Sequence, residues 1–102
     1  MIVVHSEVPV EEGSRAEAIE LLEAVAERTR AEPGVVEYRV TADLEQPNTL
    51  RIVETYEDED AAEAHESSDH VAQFQQEMEP YLADDAVLTI HEVTEQRTAP
   101  GP

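Results

Sequence analysis

Val35-Val36-Glu37-Tyr38-Arg39-Val40-Thr41, a turn at Gln46-Pro47-Asn48, and Leu50-Arg51-Ile52-Val53-Glu54-Thr55-Tyr56-Glu57 decide the fold. In the first run Val36, Tyr38 and Val40 alternate with Glu37, Arg39 and Thr41, the period of a strand with one buried face. In the second, Leu50, Ile52, Glu54 and Tyr56 share one face and Arg51, Val53 and Thr55 the other. So short a connection has no room for a crossover, so the pair is predicted to be an antiparallel hairpin. Just upstream, Pro33-Gly34 is a strong stop for a helix predicted from Ser14 to about residue 31. Ser14-Arg15-Ala16-Glu17 has capping-box spacing, and Ala18, Ile19, Leu22, Val25, Ala26 and Thr29 form its apolar stripe. Residues 2–8, rich in β-branched side chains, read as a strand that Pro9 ends.

Downstream of the hairpin, Asp58 or Asp60 can cap a short helix through Ala61, Ala62, Ala64 and His65. Ser67-Ser68-Asp69 breaks that helix and caps the next, which carries Val71, Phe74, Met78 and Tyr81 at helical spacing and which Pro80 closes. Ala86 to Val93 alternates as a fourth strand, and residues 95–102 read as a frayed tail behind a single domain of residues 1–94. The order β-α-β-β-α-β is the ferredoxin-like α+β arrangement: one antiparallel four-stranded sheet with the helices on one face. The other face is left bare, and a second copy of the same sheet is its simplest cover, giving a homodimer.

Composition bounds what such a domain does. The chain has 102 residues, enough for one domain and too few for two. It has no cysteine, which removes disulfides, thiolate metal sites and cysteine nucleophiles. Acidic residues number 25 against six basic ones, all arginine, for a formal net charge of −19. Such a chain is repelled by nucleic-acid phosphates and by anionic membrane surfaces. The acids run along the whole length and the apolar periodicity is clear, so the acidity reads as adaptation to high salt. At molar salt the screening length falls to roughly 3 Å and self-repulsion is suppressed. No apolar run approaches the roughly 18 residues of a membrane span, and Met1-Ile2-Val3-Val4-His5 lacks the basic region of a signal peptide, so a cytoplasmic location is expected.

Three stretches carry a family resemblance. Arg30-Ala31-Glu32-Pro33-Gly34-Val35-Val36-Glu37-Tyr38 resembles the helix-to-strand junction T-R-x-E-x-G-x-x-x-Y of antibiotic-biosynthesis-monooxygenase domains, with a proline between Glu32 and Gly34. Glu54-Thr55-Tyr56-Glu57-Asp58 is similar to that family's E-x-W/Y followed by an acidic turn. Ala61, His65, Ser68 and His70 follow its A-x-x-x-H-x-x-S-x-H pattern. The resemblance spans roughly residues 1–94. It implies a dimeric α/β barrel with a pocket between sheet and helices in each subunit. Chemistries of such domains include cofactor-free oxidation of quinols or polycyclic phenols by O₂ and oxidative cleavage of haem, and other members of the family have no established reaction.

On the oxygenase reading, an imidazole beside an apolar pocket takes the phenolic proton, and the resulting anion supplies the electron to O₂. His65 is the expected base, with Glu54 and His70 orienting, and Tyr38, Ile52, Tyr56, Val71, Phe74 and Met78 lining the pocket. Each has a plainer reading. His65 can fasten its helix to the sheet, and His70 can lie at the surface. Glu54, a carboxylate on an apolar face, must be paired, hydrogen-bonded or protonated, with His65, Arg39 or Tyr38 as candidate partners. Tyr56 can simply fill core. Haem-cleaving relatives use an asparagine near the first strand and a tryptophan on the third, where this chain has His5 and Tyr56; a histidine-ligated haem protein and a non-catalytic small-molecule-binding dimer stand as alternatives. No histidine pair shows the i, i+4 spacing of a helical zinc site, and no phosphate loop or nucleophile elbow occurs, so neither metal nor cofactor is expected.

Overall fold

The hairpin forms with one irregularity that its alternation did not announce. The computed structural model describes residues 1–102. Its elements are β1 (Ile2–Pro9), α1 (Arg15–Arg30), β2 (Val35–Ala42), β3 (Thr49–Tyr56), α2 (Glu59–Glu66), α3 (Asp69–Met78), a 3₁₀ turn at Glu79–Tyr81, and β4 (Val87–Glu92). The strands form one antiparallel sheet in the order β2-β3-β1-β4, the ferredoxin-like arrangement. Between Val35 and Glu37 the β2–β3 register shifts. Val35 therefore pairs with Tyr56 and Tyr38 with Glu54, while Val36 is bulged out and 61% exposed. The expected face of Val36, Tyr38 and Val40 is corrected to Val35, Tyr38 and Val40.

Strict alternation on β1 and β3 builds the floor of the core. Ile2, Val4, Ser6 and Val8 are buried on β1, and Leu50, Ile52, Glu54 and Tyr56 on β3. β1 ends at Pro9, its last residue, which pairs with Thr49 beyond the reach of β4, where a missing N–H leaves no ladder bond unmade on that side. Helix α1 lays Ala18, Leu22, Val25, Ala26 and Thr29 onto this floor, and Val8, Tyr38, Leu50, Ile52 and Met78 close the main cluster. The Thr29 hydroxyl donates to the Val25 carbonyl at 2.7 Å, which satisfies it within the helix. Ser14 is the N-cap residue, but its side chain makes no capping hydrogen bond, so the expected capping box does not form. Asp58 does cap α2, accepting from the Ala61 N–H at 2.9 Å. Ser68 stands at the N-cap of α3, yet its hydroxyl turns back and donates to the His65 carbonyl at 2.6 Å, tying off the end of α2 instead.

Coverage of the sheet is uneven. Strand β4 pairs only with β1, and all of its residues are exposed. Leu88 and Ile90 lie opposite buried Ser6 and Val4 but remain 45% and 64% exposed. On the outer face His5 and His91 meet edge to face with centroids 5.6 Å apart, and Arg51 bridges Glu7 and Asp43 at 2.6 and 2.8 Å. Residues 95–102 carry no helix or strand, and no helix is long and apolar enough to cross a membrane.

The Pro33-Gly34 turn sets the angle between α1 and β2. Gly34 has φ +81°, and a Cβ placed there would stand 2.6 Å from the Ala61 Cβ of α2. Both the backbone conformation and the close approach require glycine. Gly34→Ala is therefore expected to lower the unfolding free energy by about 2 kcal/mol or more, measured by urea denaturation. A loss within experimental error would show that α2 can move away without cost.

Candidate functional site

Two segments far apart in sequence converge beneath the sheet. Glu32 lies in the turn after α1, where its N–H donates to the Thr29 carbonyl and its own carbonyl accepts from Val35. His65 projects from the last turn of α2, and His70 from the first turn of α3. His65 is 5% exposed. Its Nδ1 lies 3.2 Å from Glu32 Oε1, and its Nε2 lies 3.8 Å from Glu54 Oε1 on β3. One imidazole is thus held between two carboxylates. The rings of Tyr38 and Tyr56 tilt against it, with centroids 5.6 and 5.5 Å away.

Glu54 solves the problem of a carboxylate on an apolar face by hydrogen bonds from its own sheet. The Tyr56 hydroxyl donates to Oε1 at 2.5 Å and the Ser6 hydroxyl donates to Oε2 at 3.2 Å. Of the partners expected from sequence, only His65 approaches; Arg39 is exposed, and Tyr38 faces Glu54 across the ladder without a hydrogen bond to it. Burial pushes the Glu54 carboxyl above its usual range, while the Tyr56 hydrogen bond, the charge of His65 and the Ser6 hydrogen bond pull it back. Burial also drives the Tyr56 phenol far up, assisted by its bond to Glu54, and raises Tyr38 for the same first reason with the charges of Glu54 and Glu32 behind it. Both tyrosines therefore hold their protons at neutrality and act as donors.

His70 extends the cluster toward the surface. Its Nε2 is 2.6 Å from Glu32 Oε1, yet the contact lies off the N–H axis and is not a formed hydrogen bond. That nitrogen is shut away from solvent with no hydrogen-bond partner. The His70 side chain lines a cavity of about 160 Å³ between α1 and α3, together with Leu21, Val25, Arg28 and Phe74. A larger cavity of about 500 Å³ lies beside it, walled by Val8, Phe74, Met78, Leu82 and Ala83. Phe74 belongs to both.

The residues expected to line one pocket are therefore distributed. Phe74 and Met78 reach the larger cavity, Tyr38 and Tyr56 surround His65, Ile52 is packed in the main core, and Val71 is buried on α3. Neither cavity is lined by His65, Glu54 or Tyr56. Two members of the cluster carried no individual signal in the sequence reading. Ser6 was hidden in an apolar strand, although its even-numbered register with Val4 and Val8 placed it on the inner face. Glu32 was visible only as a motif letter, because its partners lie 33 and 38 residues downstream.

Comparisons with known proteins bear on the family and the fold. Residues 1–77 match the family described as antibiotic biosynthesis monooxygenase. A crystal structure from Deinococcus radiodurans named for that family superposes with a TM-score of 0.92 at 27% identity, over 99% of this chain and 100% of the other. A conserved protein from Methanosarcina mazei Go1 gives 0.85 at 27% identity, covering 88% and 89% of the two chains. A structure from Nitrosomonas europaea, also named for the family, shares the fold at 0.87 with 18% identity, over 93% of this chain and all of the other. Nothing among curated proteins matches the chain.

Because the folded Glu54 titrates above its unfolded value of about 4.5, its contribution to stability is full below that pH and is lost as pH rises through the folded value. Glu54→Gln removes this titration while keeping an acceptor for Tyr56. Chemical denaturation at a series of pH values is expected to show the variant gaining on the wild type from pH 4.5 toward neutrality. A difference that stays flat across that window would mean Glu54 is not desolvated.

Proposed function

The chain belongs to the antibiotic biosynthesis monooxygenase family, and we propose that it is a cofactor-independent monooxygenase acting on a quinol-like or polycyclic phenolic compound. The observation that carries the reading is the line of proton-holding groups from the cavity wall to the sheet: His70, Glu32, His65, Glu54. Imidazoles backed by carboxylates can accept a phenolic proton and stabilise the resulting charge in a water-poor setting. The phenolate then gives an electron to O₂. For an anthrone-like substrate the reaction balances as R₂CH₂ + O₂ → R₂C=O + H₂O, with one oxygen atom entering the product and the other leaving as water.

The larger cavity is of the size that small-molecule sites usually have. In this reading the aromatic body lies against Phe74 and Met78, and rotation of the shared Phe74 wall opens the way to His70. His70 is then the group that meets the substrate. His65, expected from sequence to be the base itself, stands behind Glu32 and shares the proton, with Glu54 orienting its far nitrogen. The reading includes a homodimer through the outer sheet faces, working in a salt-rich cytoplasm to which a net charge of −19 is suited.

The test is O₂ uptake in molar KCl with a panel of hydroquinones, naphthoquinols and anthrones. Uptake above the autoxidation control is expected, reduced about 100-fold or more in His70→Ala and also lowered in His65→Ala. Uptake that is unchanged in both variants would reject these residues, and no uptake from folded protein would move the reading to haem binding or a non-catalytic role. Light scattering under the same conditions is expected to give the mass of a dimer; a folded monomer would remove the sheet-to-sheet assembly.

A further inference from the structure

We infer that Glu32, His65 and His70 form a binding site for a divalent transition-metal ion of the zinc or cobalt type. The inference does not need the oxygenase reading, because occupancy is measured without turnover. Glu32 Oε1, His65 Nδ1 and His70 Nε2 all lie within 4.8 Å of one another. Two imidazole nitrogens and one carboxylate oxygen are a donor set that suits zinc, cobalt and nickel and discriminates against the hard ions magnesium and calcium.

Geometry and hydrogen bonding support the assignment independently. A tetrahedral ion with metal–ligand bonds of about 2.0–2.1 Å sets its donor atoms roughly 3.3 Å apart. The 3.2 Å between Glu32 Oε1 and His65 Nδ1 already has that value. The 2.6 Å between Glu32 Oε1 and His70 Nε2 is crowded and needs to open by roughly 0.7 Å to reach it. The His70 nitrogen is enclosed, lies beside the carboxylate but off the axis of a hydrogen bond, and has no hydrogen-bond partner. An ion between them relieves the crowding and gives that nitrogen a partner.

A carboxylate also stands near the far nitrogen of His65. A metal-bound imidazole commonly donates its other N–H to a carboxylate. Here Glu54 Oε1 lies 3.8 Å from the far nitrogen of His65, longer than a hydrogen bond but within ion-pair range, and Glu54 is itself fixed by Tyr56 and Ser6. Glu66 lies close enough to add negative potential at Tyr38 and Glu54. His70 also lines the cavity of about 160 Å³ between α1 and α3, the side from which an ion would enter. Ion and proton compete for the same lone pairs, so a bound ion would also silence these histidines as bases.

Titration of the purified protein with Co²⁺, in molar KCl with excess Mg²⁺ to saturate surface carboxylates, tests the site. We expect one ion per chain and a visible absorption band of nitrogen-and-oxygen-ligated cobalt. His70→Ala and Glu32→Gln should each weaken binding about 100-fold, whereas the exposed Glu20→Gln should leave it unchanged. Should either variant fail to fold, histidine NMR of the wild type during Zn²⁺ addition decides: the signals of His65 and His70 should shift and those of His5 and His91 stay. Absence of saturable binding, equal binding in all variants, or shifts confined to His5 and His91 would overturn the site.

Discussion

The rest of the interior is arranged around one imidazole held between two carboxylates. His65 is nearly fully buried, with Glu32 at one nitrogen and Glu54 at the other. Groups of this kind are costly to take out of water unless their hydrogen-bonding capacity is met, and the cost is offset here from several directions. Tyr56 and Ser6 satisfy Glu54 from the sheet, and the two tyrosine rings cover the imidazole. Ser68 takes up the His65 carbonyl at the helix end. Three segments of chain are thereby fastened at one point: the turn after α1, the end of α2, and the middle of β3.

That point depends on backbone placement as much as on side-chain chemistry. Glu32 reaches His65 because Pro33-Gly34 turns the chain sharply after α1, and Gly34 lets α2 approach until Ala61 would touch a Cβ. Arg30 reinforces the same turn, its Nε–H donating to the Tyr38 carbonyl at 3.0 Å. The register shift after Val35 then rotates Tyr38 inward to face the imidazole and turns Val36 outward. Two of the three motif stretches that carry the family resemblance, Arg30–Tyr38 and Ala61–His70, are therefore the two halves of one contact. Their spacing in sequence reflects a spatial requirement that Glu32, Gly34 and Tyr38 meet Ala61, His65 and His70.

The acidity and the site belong to different parts of the molecule. Most of the carboxylates lie on exposed helix faces and loops, where charge costs little and salt screens it. Only Glu54 is fully buried, and Glu32 sits at the border of the interior. The surface charge acts on the compact state as a whole, while these two carboxylates act on one histidine. The sheet itself is covered on the helical side only as far as β1. The apolar residues of β4, Leu88 and Ile90, remain in solvent.

Sequence alone determined the element order, the antiparallel hairpin, the stripe of α1 and the placement of Glu54 among apolar residues. These follow from periodicity and turn chemistry, which act between residues a few positions apart. Local signals failed where a local option competed with a tertiary one. Ser14 and Ser68 have the identities of helix caps, but neither makes the capping bond, and Ser68 spends its hydroxyl on His65 instead. The bulge at Val36 is decided by how β2 must meet both β3 and the helices, which alternation within β2 does not encode. Only the tertiary structure brought Glu32 to His65 and His70, separated Phe74 and Met78 from the tyrosines, and left β4 uncovered. Each of these is set by how whole elements pack, a constraint that adjacent residues cannot express.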